Sequence, residues 1–115
     1  MCWLHVAIGN HVTQSTLAAW AATLKEAGTR VIYMSMNVQD ASKKPKQFKA
    51  QGREWSLDFI RAVVAALRSK GVEVLDTSSM TDPEVHGNVH SEDGTHVWGF
   101  VDVMKAKVLL SAICP

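Results

Sequence analysis

Cysteine, proline and tyrosine are scarce in this 115-residue sequence, which holds two, three and one of them. Cys2 and Cys114 stand at opposite ends, so no Cys-x-x-Cys pair exists, and a zinc ribbon or thioredoxin-like motif is excluded. No apolar run reaches the length of a bilayer crossing, so no membrane span is expected. An excess of one charge is also lacking. Lys plus Arg number 12 and Asp plus Glu 11, a net of +1, which gives no electrostatic footing for a dedicated nucleic-acid binder. Neither Gly-x-Gly-x-x-Gly nor Gly-x-x-x-x-Gly-Lys-Ser/Thr occurs, which argues against a nucleotide-binding domain. Met1-Cys2-Trp3-Leu4-His5 shows no basic leader followed by an apolar stretch. Internal repeats and low-complexity tracts are missing as well. What is present is 47% hydrophobic and 20% charged residues, the composition of one packed globular domain over 1–115.

The hydrophobic pattern alternates between strand and helix. Residues 2–8 (CWLHVAI) form a mostly apolar run ending at Gly9, as expected of a strand buried on both faces. Thr13, Ser15 and Thr16 offer N-cap oxygens, and Leu17, Trp20, Ala21, Leu24 and Ala27 recur at helical spacing before Gly28. Residues 30–36 (RVIYMSM) read as a second strand. After a polar connection, Leu57, Ile60, Val63, Val64 and Leu67 mark a helix from about Arg53 to Gly71, and residues 72–75 a third strand. A long polar loop over 77–96 then leads into a last helix over 97–113, with Val97, Val101, Met104 and Val108 on its apolar stripe. This β-α-β-α-β-α order predicts an α/β fold, a parallel sheet covered by helices, with sites at the carboxyl ends of the strands. Three segments meet that criterion: 9–14, 37 onward and 76–96. The apolar run 2–8 would lie at a sheet edge, and such edges are normally covered. Further strands preceding Met1, or another chain, are expected to cover it.

Two short elements carry the chemistry. In Asp93-Gly94-Thr95-His96, an acid three residues before a histidine can turn back and accept from the ring. That fixes the tautomer and frees the other ring nitrogen to act as a general base. In Gly9-Asn10-His11, the glycine allows close backbone approach and the polar side chains can donate to a developing oxyanion. A solvated loop histidine and an ordinary strand-to-helix turn are the plainer readings of the two.

Together, these elements resemble the SGNH (GDSL-like) hydrolase superfamily, in which a Gly-x-Asn block follows the third strand and an Asp-x-x-His block precedes the last helix. The chain is similar to the C-terminal half of such a domain over essentially all of its length. It is similar in particular to the PC-esterase branch, where a histidine frequently replaces the Asn of the block, as in Gly9-x-His11. The resemblance implies a flavodoxin-like three-layer α/β/α fold, represented by its C-terminal β-α-β-α-β-α portion. It implies an esterase or O-acyltransferase acting on acylated carbohydrate or another small ester, with no cofactor and no metal. His96 would be the general base, Asp93 its orienting partner, and His11, Asn10 and Gly9 the oxyanion or substrate group. The sequence departs from the family in one essential respect. It contains no Gly-Asp-Ser nucleophile block, so the chain alone is expected to be inactive. The missing N-terminal half or a partner chain would have to supply the serine. The rival expectation is a non-catalytic binding or interaction module with a vestigial site.

Weaker signals remain. His86, His90 and His96 lie among acids, yet their spacing matches no strong zinc signature. Lys43, Lys44, Lys46, Lys49 and Arg53 form a run without an acid between them, either a solvated loop or a contact for an anionic glycan or phosphate. Trp20 and Trp55 are expected in or near the core, and Trp98 either walls the site or packs the last helix. In a parallel sheet, Cys2 and Cys114 end on the same side, so they are either a disulfide or two unpaired thiols. A disulfide would suit an oxidising compartment, in keeping with the secretory location common among PC-esterase relatives.

Overall fold

A computed structural model describes residues 14–114. Helix α1 covers Gln14–Glu26, strand β1 Ile32–Met34, helix α2 Arg53–Ser69 and strand β2 Glu73–Leu75. Two single-turn helices follow, α3 over Ser78–Thr81 and α4 over Pro83–His86, and then α5 over Gly99–Ile113. The connection between β1 and α2 holds two short 3-10 turns, Ala41–Lys43 and Lys46–Phe48. The expected strand over 2–8, the Gly9-Asn10-His11 element, Thr13 and Cys2 all lie outside the described residues.

The described chain is a mixed α/β structure with a two-stranded parallel sheet. Ile32, Tyr33 and Met34 pair with Glu73, Val74 and Leu75. The strands are shorter than the apolar runs that announce them. Just before β1, Arg30 forms a two-pronged ion pair with Glu73. Helix α2 forms where the apolar period is clearest. Leu57, Ile60, Val63, Val64 and Leu67 share one face, and four of them are buried; Leu57 is half-buried. Glu54 in its first turn and Arg68 in its last suit the helix dipole. Beyond its last turn, Gly71 takes φ +69°, and the Lys25 ammonium of α1 reaches across to the Gly71 carbonyl at 2.8 Å.

Two neighbouring apolar clusters share this helix. Ala18 and Ala21 of α1 meet Val63, Leu67 and Val72, with Tyr33, Phe59 and Val74 packed alongside. Val38, Ile60 and Val64 form the second, flanked by Met36, Leu57, Tyr33 and Val74. A third, separate cluster joins Val89, Val97 and Val101 under α5.

Several expectations change. The loop over 77–96 contains α3 and α4, because Asp82 caps α4 by accepting from Glu84 N–H, and Pro83 opens that helix. Helix α5 begins at Gly99, and its buried stripe is Val101, Lys105 and Leu109; Met104 and Val108 face outward. Trp20 is 52% exposed and Trp55 39%, so neither is a core residue. On α1 the small residues Ala18 and Ala21 make the close contact, which leaves Trp20 and Leu24 on the rim. Trp55 stacks on Phe59 at 6.0 Å between ring centroids. No helix among the described residues is long and apolar enough to cross a membrane.

Candidate functional site

Asp93 and His96 meet in a loop clamped at both ends. His90 and Val97 face each other in an antiparallel bridge. Ser91 N–H donates to the His96 carbonyl at 2.8 Å, and Trp98 N–H to the Val89 carbonyl at 3.0 Å. Within the loop, Asp93 Oδ1 accepts from the backbone N–H groups of Thr95 and His96, both at 2.8 Å, and from the Ser91 hydroxyl. Its second oxygen, Oδ2, accepts from His96 Nδ1 at 2.5 Å. The His96 ring and the Thr95 N–H together hold the Asp93 carboxyl well below the usual carboxylate range. His96 Nε2 has no hydrogen-bond partner among the described residues, and the side chain is 79% exposed.

The loop is docked onto the carboxyl end of β1. Asp40 N–H donates to the Gly94 carbonyl at 2.8 Å, and Asn37 Nδ2 to the Thr95 carbonyl at 3.2 Å. Gly94 has φ +68°, and a Cβ there would lie 2.2 Å from the Asp40 carbonyl oxygen. The quartet therefore needs its glycine for two reasons, backbone conformation and close approach. Of the three segments expected at the strand ends, two, 37 onward and 76–96, come together; the third, 9–14, falls almost wholly outside the described residues.

His90 is the pin beneath the loop. It is fully buried, and its Nε2 lies 2.5 Å from the Val38 carbonyl, to which it donates. Its Nδ1 is buried without a partner among the described residues. His90 is therefore committed to packing, while His86 ends α4 on the surface and His96 holds Asp93. The three histidines do not converge. Among the described residues, no group of three or more His, Cys, Asp or Glu side chains is arranged to hold a metal ion.

The basic run is not a uniformly solvated loop. Lys43 Nζ donates to Asn88 Oδ1 and, at 2.5 Å, to the His90 carbonyl. Lys44 is buried, and its Nζ donates to Thr95 Oγ1 at 2.6 Å. Arg53 forks onto the buried Asp82 carboxylate at 2.8 and 2.9 Å, which holds that carboxyl below its ordinary range. Lys46 and Lys49 remain exposed. The run thus straps the 82–95 segment to the connection after β1.

Two neighbours of the loop escaped sequence reasoning. Asn37 bridges α5 and the loop, since its Oδ1 accepts from Lys105 Nζ at 2.7 Å while its Nδ2 reaches Thr95. Lys105 itself is buried in the apolar stripe of α5. A lysine at four-residue spacing between Val101 and Leu109 was the available signal. Trp98 caps the start of α5 and is largely exposed. Cys114 ends the same helix with an exposed thiol. In comparisons with known proteins, no family model, curated protein or solved structure matches the chain.

Proposed function

We propose that this chain carries the base-bearing half of an SGNH-type ester-cleaving or acyl-transferring site of the PC-esterase kind. The observation that carries the reading is the 2.5 Å contact between His96 Nδ1 and Asp93 Oδ2, made by a carboxylate whose other oxygen is anchored by three donors. Such an anchor fixes the ring and its tautomer and leaves Nε2 to take a proton. In this reading a serine hydroxyl gives its proton to His96 Nε2 and attacks the ester carbonyl. The tetrahedral oxyanion is held by donors of the 9–11 segment, His11 first, then Asn10 and Gly9. The proton passes to the leaving alcohol, and water or a sugar hydroxyl then takes the acyl group from the serine. The substrate class is an acylated carbohydrate or another small ester. The finer fold reading, a flavodoxin-like three-layer α/β/α arrangement represented by its C-terminal portion, belongs to this proposal.

The serine is supplied from outside the chain, by a preceding segment or a partner. The second reading, a non-catalytic module with a vestigial site, is favoured by one observation: Ser91 Oγ turns to Asp93 and not to the ring of His96. Fluorophosphonate labelling read by intact mass separates these readings. The chain alone and His96→Ala are expected to stay unlabelled. Co-expression with the Gly-Asp-Ser-bearing segment or chain should give a labelled serine that disappears in His96→Ala. Labelling of the chain alone, lost in His96→Ala, would instead place the nucleophile within it. Labelling that ignores His96, or no labelling in any combination, would leave the binding module.

A further inference from the structure

We propose that Lys44 and Lys105 form the cationic floor of a subsite for an oxyanion group, a carboxylate or a phosphate, beside the Asp93–His96 loop. This deepens the functional reading and rests on it for the reacting group, but not for the binding itself. Both lysines are only 8% exposed, and neither forms an ion pair among the described residues. Each ammonium has one neutral oxygen partner: Thr95 Oγ1 for Lys44 and Asn37 Oδ1 for Lys105. An ammonium carries three donors, so each retains two to offer. The two are linked through a single contact, Asn37 Nδ2 to the Thr95 carbonyl, which brings both to the carboxyl end of β1.

Buried cations without a counter-ion are costly, and a protein normally pairs or neutralises them. Asp93 acts on Lys44 and Asp102 on Lys105 only from beyond ion-pair distance. Asp93 already accepts four hydrogen bonds from Ser91, Thr95 and His96, and Asp102 lies on an outward face of α5. Residues 1–13 contain no Asp or Glu. Lys43 donates to the neutral oxygens of Asn88 and His90, and its charge acts on the Asp40 carboxylate. Burial depresses the pKa of both Lys44 and Lys105, and Asp93 and Asp102 respectively oppose the shift. Open α/β sheets receive ligands at this end of their strands. The anionic-contact reading of the basic run therefore passes to Lys44, and Lys105 is the partner the run lacked.

The test is amide chemical-shift titration of the whole chain at fixed ionic strength with sodium glucuronate, sodium phosphate and, as the neutral control, glucose. Saturable shifts at Asn37, Lys44, Thr95 and Lys105 are expected with at least one anion and none with glucose. Which anion binds distinguishes a carboxylate from a phosphate ligand. Lys105→Met and Lys44→Met should each weaken binding at least about tenfold, as loss of a charge-assisted contact does. Lys105→Gln serves if the methionine variant unfolds. Anion binding without His96-dependent labelling would keep the subsite and remove the esterase reading; labelling without anion binding would do the reverse. The proposal is overturned if neither anion saturates, if the lysine variants bind unchanged, or if the shifts centre on exposed Lys46 and Lys49.

Discussion

Where α1 packs on α2, the buried groups are Ala18, Ala21, Val63 and Leu67; around the Asp93–His96 loop the small cluster Val89, Val97 and Val101 is joined by buried Lys44, Asp82, His90 and Lys105. The first region is held by non-directional burial of apolar area. The second is held by hydrogen bonds from charged or orphan-prone groups, each of which must meet its oxygen. Such a region gives up stability to fix geometry. The proposed site lies in the polar half, where two ammonium groups are buried.

The comparison can be broken most severely from the apolar side. Leu67→Ala should cost about 2–5 kcal/mol, read as a fall in the urea midpoint for the entire fold, since Leu67 is only 1% exposed in the shared cluster. Gly94→Ala should come next, at roughly 2–3 kcal/mol, because the positive φ and the Asp40 carbonyl both reject a methyl group. Its signature is local: the His90–Val97 bridge should lose amide protection before α2 does. Equal loss of protection in both halves would contradict the division.

Acid should sharpen the contrast further. Asp40, Asp82 and Asp93 of the polar half have lowered pKa values, as do Asp76, which accepts from Ser35 and Ser78 after β2, and Glu73, paired with Arg30. A lowered folded-state value means that the unfolded chain binds more protons, so stability is present above the unfolded carboxyl pKa of about 4 and is lost as pH falls below it. Asp82→Asn should flatten that acid limb in a pH series of urea midpoints. Lys105 has the opposite consequence. Its lowered value means that stability rises with pH on approaching the unfolded lysine pKa of about 10.4. Lys44 has the same lowering, so Lys105→Met should reduce that rise and not abolish it. The smallest effect is expected on the outer face of α5, where Met104→Gln should stay within about 0.5 kcal/mol because the side chain is 52% exposed.

Much of the apolar half was legible in the sequence. The i, i+3, i+4, i+7 spacing from Leu57 to Leu67 needs nothing but helical geometry to be read, and Gly28 and Gly71 mark real chain turns at positive φ. The Asp93–His96 contact was legible for the same reason, since acid and ring are joined by a three-residue turn. What could not be read depends on partners distant in sequence. Lys105 looks like an interruption of an apolar helix until Asn37 is placed beside it, 68 positions away. His90 looks like a loop residue until the Val38 carbonyl covers its Nε2. The misplaced tryptophans show a second limit. Their size marks them as core candidates, yet on α1 the tight contact with α2 is made through alanines.

The pairing of β1 with β2 also has a bearing on the order of folding. Each strand contributes only three residues, and the whole of α2 lies between them. So short a ladder gains little until the chain between its strands has been closed and docked. Helix α2 must therefore be largely in place when the strands meet, with Tyr33 and Val74 landing on a surface it already presents. In chevron measurements, truncating Val63 should slow refolding. Truncating Val89, under the polar loop, should chiefly hasten unfolding. If both outcomes hold, the Asp93–His96 loop is the last part to assemble and the first to be released.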